Sequence, residues 1–394
     1  MPCGGGQFLF PERKGKPVRQ EVPLQGKMAE RMRVLYDYQT FSSQRVGGIS
    51  RYFAHLYRHV PDGRVETSLS LLYTRNVYLK GERFPLQNGW GDVLIGGHFR
   101  DANKLWSKVR IRFSRYDILH PTYYNPYLIP DAGGRTVVLT VHDLIHQLFP
   151  NYFPGDRTIE WQRRMIRRAD RLIAISENTK RDLVERMKVP EEKITVIHHG
   201  LMFDGDGEGL SARERVAELP ENYILFVGDR SRYKNFDGFV SEVAPLLAEY
   251  DLRLVCTGGR EFTGEERALI RSLGIADRVI RMTVSDAMLG RLYRHAVCFV
   301  YPSLYEGFGL PILEAYRAGC PVVLTRASCF PEIAGDAALY FEPGRPGSMR
   351  EAVRSLLDDT GRRRELSAAG TRRLALFSTE KMVEKTRNLY LSLG

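Results

Sequence analysis

At 394 residues, 43% hydrophobic and 27% charged, the chain is long enough for two or three globular domains with ample core. No apolar run reaches the roughly 18 residues of a membrane-spanning helix, and the start of the chain lacks the apolar core of a secretion signal, so the expected location is the cytoplasm. The net charge of +11 is uneven, with +12 on the first 200 residues and −1 on the rest. This points to an anionic partner for the N-terminal half, a phospholipid surface or a lipid diphosphate, and to a peripheral place on the inner face of the cell membrane. Nucleic acid is not expected, since no zinc finger, RNP-type motif or other recognition module accompanies the charge.

Residues 1–31 combine a Cys-Gly-Gly-Gly run, prolines flanked by Lys and Arg, and little periodicity, the composition of a disordered leader. A first domain is expected over 32–200. It opens with the strand Met32-Arg-Val-Leu-Tyr-Asp-Tyr, followed by Gly47-Gly48 and an amphipathic helix. Paired glycines after a first strand let backbone approach a ligand. The apolar run Thr136-Val-Val-Leu-Thr-Val reads as a buried parallel strand that delivers His142 and Asp143 at its carboxyl end, where open α/β sheets place ligands. In the basic helix that follows, Arg163 and Arg167, and Arg164 and Arg168, are spaced four apart and form one face, either solvated or turned to a membrane. Strands at 171–176 and 194–200, flanking a helix at 177–188, close the domain.

A linker is expected at 201–220. Its Asp204-Gly-Asp206 fails as a calcium loop, because the twelfth position is Arg215 where a bidentate Glu is needed. The second domain, 221–375, opens with the strand Tyr223-Ile-Leu-Phe-Val and a basic turn. There Arg230 can grip a diphosphate bidentately and Lys234 adds a point charge; Arg232 is the alternative to Arg230. Strands and helices then alternate, which implies parallel sheets covered on both faces, and a terminal helix in 376–394 is expected to cross back to the first domain. The five cysteines, at 3, 256, 298, 320 and 329, have no C-x-x-C spacing and read as small core residues.

Within the second domain, Tyr301 to Thr325 holds a strand end, a loop, a helix and a further strand. Gly307 and Gly309 precede Pro311 in the first helical turn, where a missing N–H costs nothing. The amides of Phe308, Gly309 and Leu310 and the positive end of the helix dipole attract phosphate. Glu306 lies just before that anion site and Glu314 inside the helix. A carboxylate accepts two hydroxyls at once, so the pair suits a ligand with diols on both sides of a phosphate, as a nucleotide sugar has.

The stretch Ser303-Leu-Tyr-Glu-Gly-Phe-Gly-Leu-Pro-Ile-Leu-Glu-Ala, with Gly319-Cys-Pro-Val-Val and Phe330-Pro-Glu-Ile-Ala-Gly-Asp-Ala-Ala, resembles the donor-site signature of the family four glycosyltransferases. The resemblance extends over nearly all of 32–394. It implies the α/β GT-B fold, two doubly wound Rossmann-like domains facing a cleft, with donor held mainly by the second and acceptor by the first. It also implies transfer of a hexose with retention, in cell-surface polysaccharide or lipopolysaccharide synthesis. By matching positions, Glu314 holds the ribose diol, Glu306 and His142 hold sugar hydroxyls near the reacting carbon, Arg230 and Lys234 clamp the diphosphate, and Gly47-Gly48 is the glycine loop. Mannose from GDP-mannose is the first choice of donor, by similarity of the Arg-Tyr-Lys-Asn turn, and a glycan or lipid-diphosphate-linked molecule the acceptor. No divalent metal or other cofactor is expected if the protein supplies the cations. The rivals are a nucleotide-sugar epimerase of the same fold and a non-catalytic nucleotide-sugar-binding protein.

Overall fold

The computed structural model describes residues 31–87, 98–203 and 219–394. The leader expected at 1–31, apart from Arg31, and the Asp204-Gly-Asp206 stretch lie outside them. The described residues form two six-stranded parallel sheets. The first holds β1 (Met32–Tyr36), β2 (Val65–Leu69), β3 (Ile118–His120), β4 (Thr136–Val141), β5 (Arg171–Ala174) and β6 (Ile194–Val196), in the order β2-β1-β3-β4-β5-β6. The second holds β7 (Tyr223–Val227), β8 (Arg253–Thr257), β9 (Val279–Met282), β10 (Cys298–Tyr301), β11 (Val322–Thr325) and β12 (Leu339–Phe341), in the order β12-β11-β10-β7-β8-β9.

The central strands are apolar throughout because both faces are covered. In β4, Val137, Val138, Leu139 and Val141 are all buried, so alternation gives way to a continuous β-branched run. The helices used below are α1 (Gly48–His59), α2 (Phe99–Phe113), α3 (Thr158–Arg168), α4 (Glu177–Met187), α5 (Asp286–His295), α6 (Leu310–Arg317), α7 (Phe330–Ala334) and α8 (Thr379–Leu391).

Each sheet reverses its direction of winding once. In the first the reversal lies between β1 and β3, and in the second between β7 and β10. Ligands of doubly wound sheets bind outside the carboxyl ends of strands at such points. The loops that leave β7 and β10 carry Lys234 and Glu306, so topology alone brings these two distant positions together. The first sheet and its helices share one core, which also takes Met382, Val383, Leu389 and Tyr390 of α8. Tyr390 fixes that return: its hydroxyl is 2.6 Å from Nδ1 of His120 and 3.0 Å from the Tyr36 hydroxyl. Among the described residues no helix is long and apolar enough to cross a membrane.

Candidate active site

The loop from β10 to α6 is held by side chains around it. The Glu306 N–H donates to Oγ of Ser328 at 3.1 Å, and the Cys329 thiol donates to the carbonyls of Glu306 and Phe308, each at 3.2 Å. The Gly307 carbonyl accepts from Ser176 Oγ at 2.7 Å, across from the first domain. Gly309 then caps α6 in the left-handed region, φ 94°, which a side chain would strain, and Pro311 sits in the first turn. Gly307 is constrained differently from the close ligand approach expected. A Cβ there would lie 1.7 Å from the His142 carbonyl oxygen, so the end of β4 itself excludes a side chain.

Glu306 and Lys234 meet in this loop. Lys234 Nζ is 2.6 Å from Glu306 Oε1 and 3.5 Å from the Tyr301 hydroxyl, and both charged side chains are buried. The ammonium stays charged despite burial because Glu306 lies against it, with Tyr301 and Tyr233 adding to the field. Asp143, half-buried, lies near the pair. Burial raises its carboxyl above the ordinary value and Glu306 adds to the rise, while the Ile145 N–H, His146 and Lys234 oppose it. The Lys234–Glu306 ion pair thus sits at the carboxyl ends of β7 and β10, with Asp143 at the end of β4 feeling both charges.

Glu314 lies in α6, and its Oε2 accepts from the Tyr293 hydroxyl at 3.3 Å. Arg51, from α1 of the first domain, comes within 3.6 Å of Oε1 through Nη1, while its Nη2 bonds Asp286 at 2.6 Å and the Tyr78 hydroxyl at 2.9 Å. Burial foremost, with Asp286, pushes the Glu314 carboxyl up to about 7 against the pull of Arg51 and Tyr293. A pocket of about 360 Å³ opens beside Arg51, Tyr78, Met202 and Asp286. Gly47 and Gly48 start α1 close by. A Cβ on Gly48 would stand 3.5 Å from Leu310, and one on Gly47 would strike the Gln44 side chain.

Two expected roles meet a different geometry. Arg230 is buried away from the Lys234 pair: its Nε bonds Glu266 at 3.0 Å, its other nitrogens reach the carbonyls of Gly258 and Arg260, and its guanidinium stacks 4.7 Å from the Phe262 ring. In this geometry it braces β8 and its following loop, since each of its three nitrogens bonds a protein acceptor. The His142 ring packs edge-on to Tyr52 and Phe53 and beside His199, with Nε2 buried and unpartnered. Burial keeps the imidazole neutral, with its pKa lowered to about 3. It is therefore the His142 main chain, with its carbonyl against Gly307 and its N–H on the Tyr124 hydroxyl, that meets the loop here.

Glu306, Lys234, Glu314, the Gly307-Phe308-Gly309-Leu310 turn and Gly47-Gly48 do come together. Asp143 was visible at the strand end but not singled out. Arg51 stands three residues beyond Gly48 without a local signal, and Ser176, Ser328 and Cys329 join the site only through tertiary structure.

The chain is similar in sequence and fold to known proteins. The family described as Glycosyl transferases group 1 matches residues 211–373, and the one described as Glycosyltransferase Family 4 matches residues 46–202. The O-antigen chain mannosyltransferase B of Escherichia coli is 28% identical over 368 residues, spanning 87% of this chain and 95% of its own. Sucrose-phosphate synthase from Thermosynechococcus elongatus superposes with a TM-score of 0.70 at 19% identity, over 92% of this chain and 99% of its own. HepE of Anabaena, solved with UDP and glucose, superposes with a TM-score of 0.68 at 16% identity, over 92% of this chain and 100% of its own. The two sheets are thus those of the GT-B fold. With one family description on each domain, the chain is a glycosyltransferase and belongs to the group 1 enzymes of glycosyltransferase family 4.

Proposed function

We propose that this enzyme moves mannose from GDP-mannose, with retention, to a glycan or lipid-diphosphate-linked acceptor in the synthesis of a cell-surface polysaccharide or lipopolysaccharide. The observation that carries the reading is the buried Lys234–Glu306 pair at the start of α6, with Glu314 one to two turns further on. A nucleoside diphosphate leaves the anomeric carbon as negative charge grows on its phosphates, and Lys234 with the amides of Phe308 to Leu310 meets that charge. Positive charge grows on the sugar ring in an oxocarbenium-like transition state, and the carboxylates of Glu306 and Asp143 face it. In this reading Glu314 accepts the ribose hydroxyls, and the His142 imidazole turns its unpartnered Nε2 to a sugar hydroxyl. Arg230, held by Glu266 through Nε, offers its remaining Nη donors to the phosphates. No divalent metal is required, because fixed cations and amides supply the positive partners. The relative named as an O-antigen mannosyltransferase supports the choice of mannose and of the pathway class.

The acceptor enters from the basic first domain, which meets an anionic membrane surface at the inner face of the cell membrane. The test is release of GDP or UDP from a panel of nucleotide sugars, with and without a lipid-diphosphate acceptor and with EDTA present. GDP release from GDP-mannose that needs the acceptor and survives EDTA is expected. Release at full rate without an acceptor would favour the epimerase, and binding without release a non-catalytic protein.

A further inference from the structure

Helix α2 turns an apolar column to solvent. The face it turns to the core carries Asn103, Ser107 and Ile111. Asn103 accepts from the main-chain N–H of Leu72 at 2.8 Å and donates to the Tyr73 carbonyl at 2.8 Å. The Ser107 hydroxyl sits 2.6 Å from that of Ser70 and 2.7 Å from that of Tyr127. The opposite face carries Leu105, Val109 and Phe113, which are 67%, 42% and 74% exposed. Spaced four apart, they form one apolar column along the helix. Lys104, Lys108 and Arg112, with the same spacing, run beside it, and Arg115 follows the helix end. The acids near this face are Asp101 in the first turn and Asp131, 3.7 Å from Arg112. Single exposed apolar residues are ordinary, but three in register on the solvent side of one helix need a partner.

We infer that α2 lies in the interface of an anionic phospholipid membrane, with Leu105, Val109 and Phe113 among the acyl chains and Lys104, Lys108 and Arg112 at the phosphates. An amphipathic helix with a column of bulky apolar residues flanked by cations binds in this way, without spanning the bilayer. Charge decides against a second copy of the chain as occupant. The first 200 residues hold +12, so two such faces repel, whereas a phosphate surface attracts them. The inference deepens the membrane contact proposed above by assigning it to one helix, and rests on that part of the reading.

The test uses the full chain and sedimentation with vesicles of phosphatidylcholine alone or mixed with phosphatidylglycerol. Wild type is expected on the anionic vesicles only. The triple variant Leu105→Ser, Val109→Ser, Phe113→Ser should lose that binding even at low salt. The triple variant Lys104→Gln, Lys108→Gln, Arg112→Gln should bind roughly a hundredfold more weakly, at about fivefold per cation near an anionic surface. Both sets are largely solvent-facing, so melting temperatures and nucleotide release with a water-soluble acceptor should stay at wild-type values. Wild-type vesicle binding by the serine variant overturns the inference. So does a wild-type dimer, seen by light scattering, that the serine variant abolishes while vesicles capture neither protein. Absence of nucleotide release in wild type with vesicle binding intact would instead sink the proposed transfer and leave the assignment of α2 standing.

Discussion

Glu306 and Glu314 stand eight residues apart, but their surroundings differ, and the difference gives each a separate signature. Glu314 is pushed up to about 7, chiefly by burial, so its folded state holds a proton over a range where the unfolded chain, near 4.5, does not. The sign follows: its contribution to folding is most favourable below 4.5 and declines as pH rises towards 7. In the proposed role ribose hydroxyls donate to the ionised form, so affinity for free GDP should climb about tenfold per pH unit below 7 and level off above. Calorimetry from pH 5.5 to 8.5 checks this, and Glu314→Gln should weaken binding and flatten the dependence. Glu306→Gln should instead lower turnover more than it weakens free GDP, since it is placed at the sugar. Loss of free-nucleotide affinity in Glu306→Gln with retention in Glu314→Gln would reverse the two roles.

Lys234 shows where residue-level reading from sequence stops. The charge was legible from its place six residues after Gly228. The structure buries Lys234 against Glu306, so Lys234→Met leaves a buried carboxylate without its cation. Unfolding in urea should show a loss of about 3–5 kcal/mol, the usual cost of breaking a buried pair, together with a sharp fall in kcat. A variant with wild-type stability would mean that water reaches the pair. Arg230 and Lys234 looked alike in sequence because nothing local announces Glu266, 36 positions away, which takes up Arg230.

At the scale of elements, strands were the most legible part, because burial on both faces writes an apolar run directly into the sequence, as in Thr136 to Val141. The turn from Glu306 to Leu310 was legible for the same local reason: glycine and proline mark it. What escaped was everything that holds the turn from behind. Ser328 and Cys329 bind its backbone, but a serine and a cysteine in a short loop carry no pattern of their own. The α8 return was expected from order alone, and its anchor was not. Tyr390→Phe removes the hydroxyl that meets both His120 and Tyr36, leaving two buried polar groups short of a partner. Stability should drop by about 1–3 kcal/mol in urea unfolding, with nucleotide binding in the other domain unchanged.

Across the whole molecule, the two domains meet through aromatic packing and polar contacts that converge on the donor loop and its neighbours. Arg51 reaches Asp286, Ser176 holds the Gly307 carbonyl, and Glu332 of α7 caps the start of α4. The last contact is the most developed. The Glu332 carboxylate accepts from the Glu177 N–H at 2.8 Å, the Asn178 N–H at 3.1 Å and Nε2 of His198 at 2.6 Å. A carboxylate at a helix N-terminus meets both the free amides and the positive dipole end. Burial works against the charge, yet the His198 bond and the two amides win, and the carboxyl is held below its ordinary 4.5. The contribution is therefore complete above 4.5 and is lost as pH falls through the lower folded value. Glu332→Gln keeps the shape but removes the charge and turns an amide NH₂ towards N–H donors, so the domains should part more readily. Small-angle scattering at pH 7.5 should show a larger radius of gyration for the variant than for wild type without ligand. Saturating GDP-mannose should narrow the gap, because donor bound between the domains restores closure by mass action. The donor KM should rise while kcat at saturation stays near wild type. Identical scattering curves and KM values would mean that Glu332 only caps α4, and that closure is set by Arg51 and the donor loop.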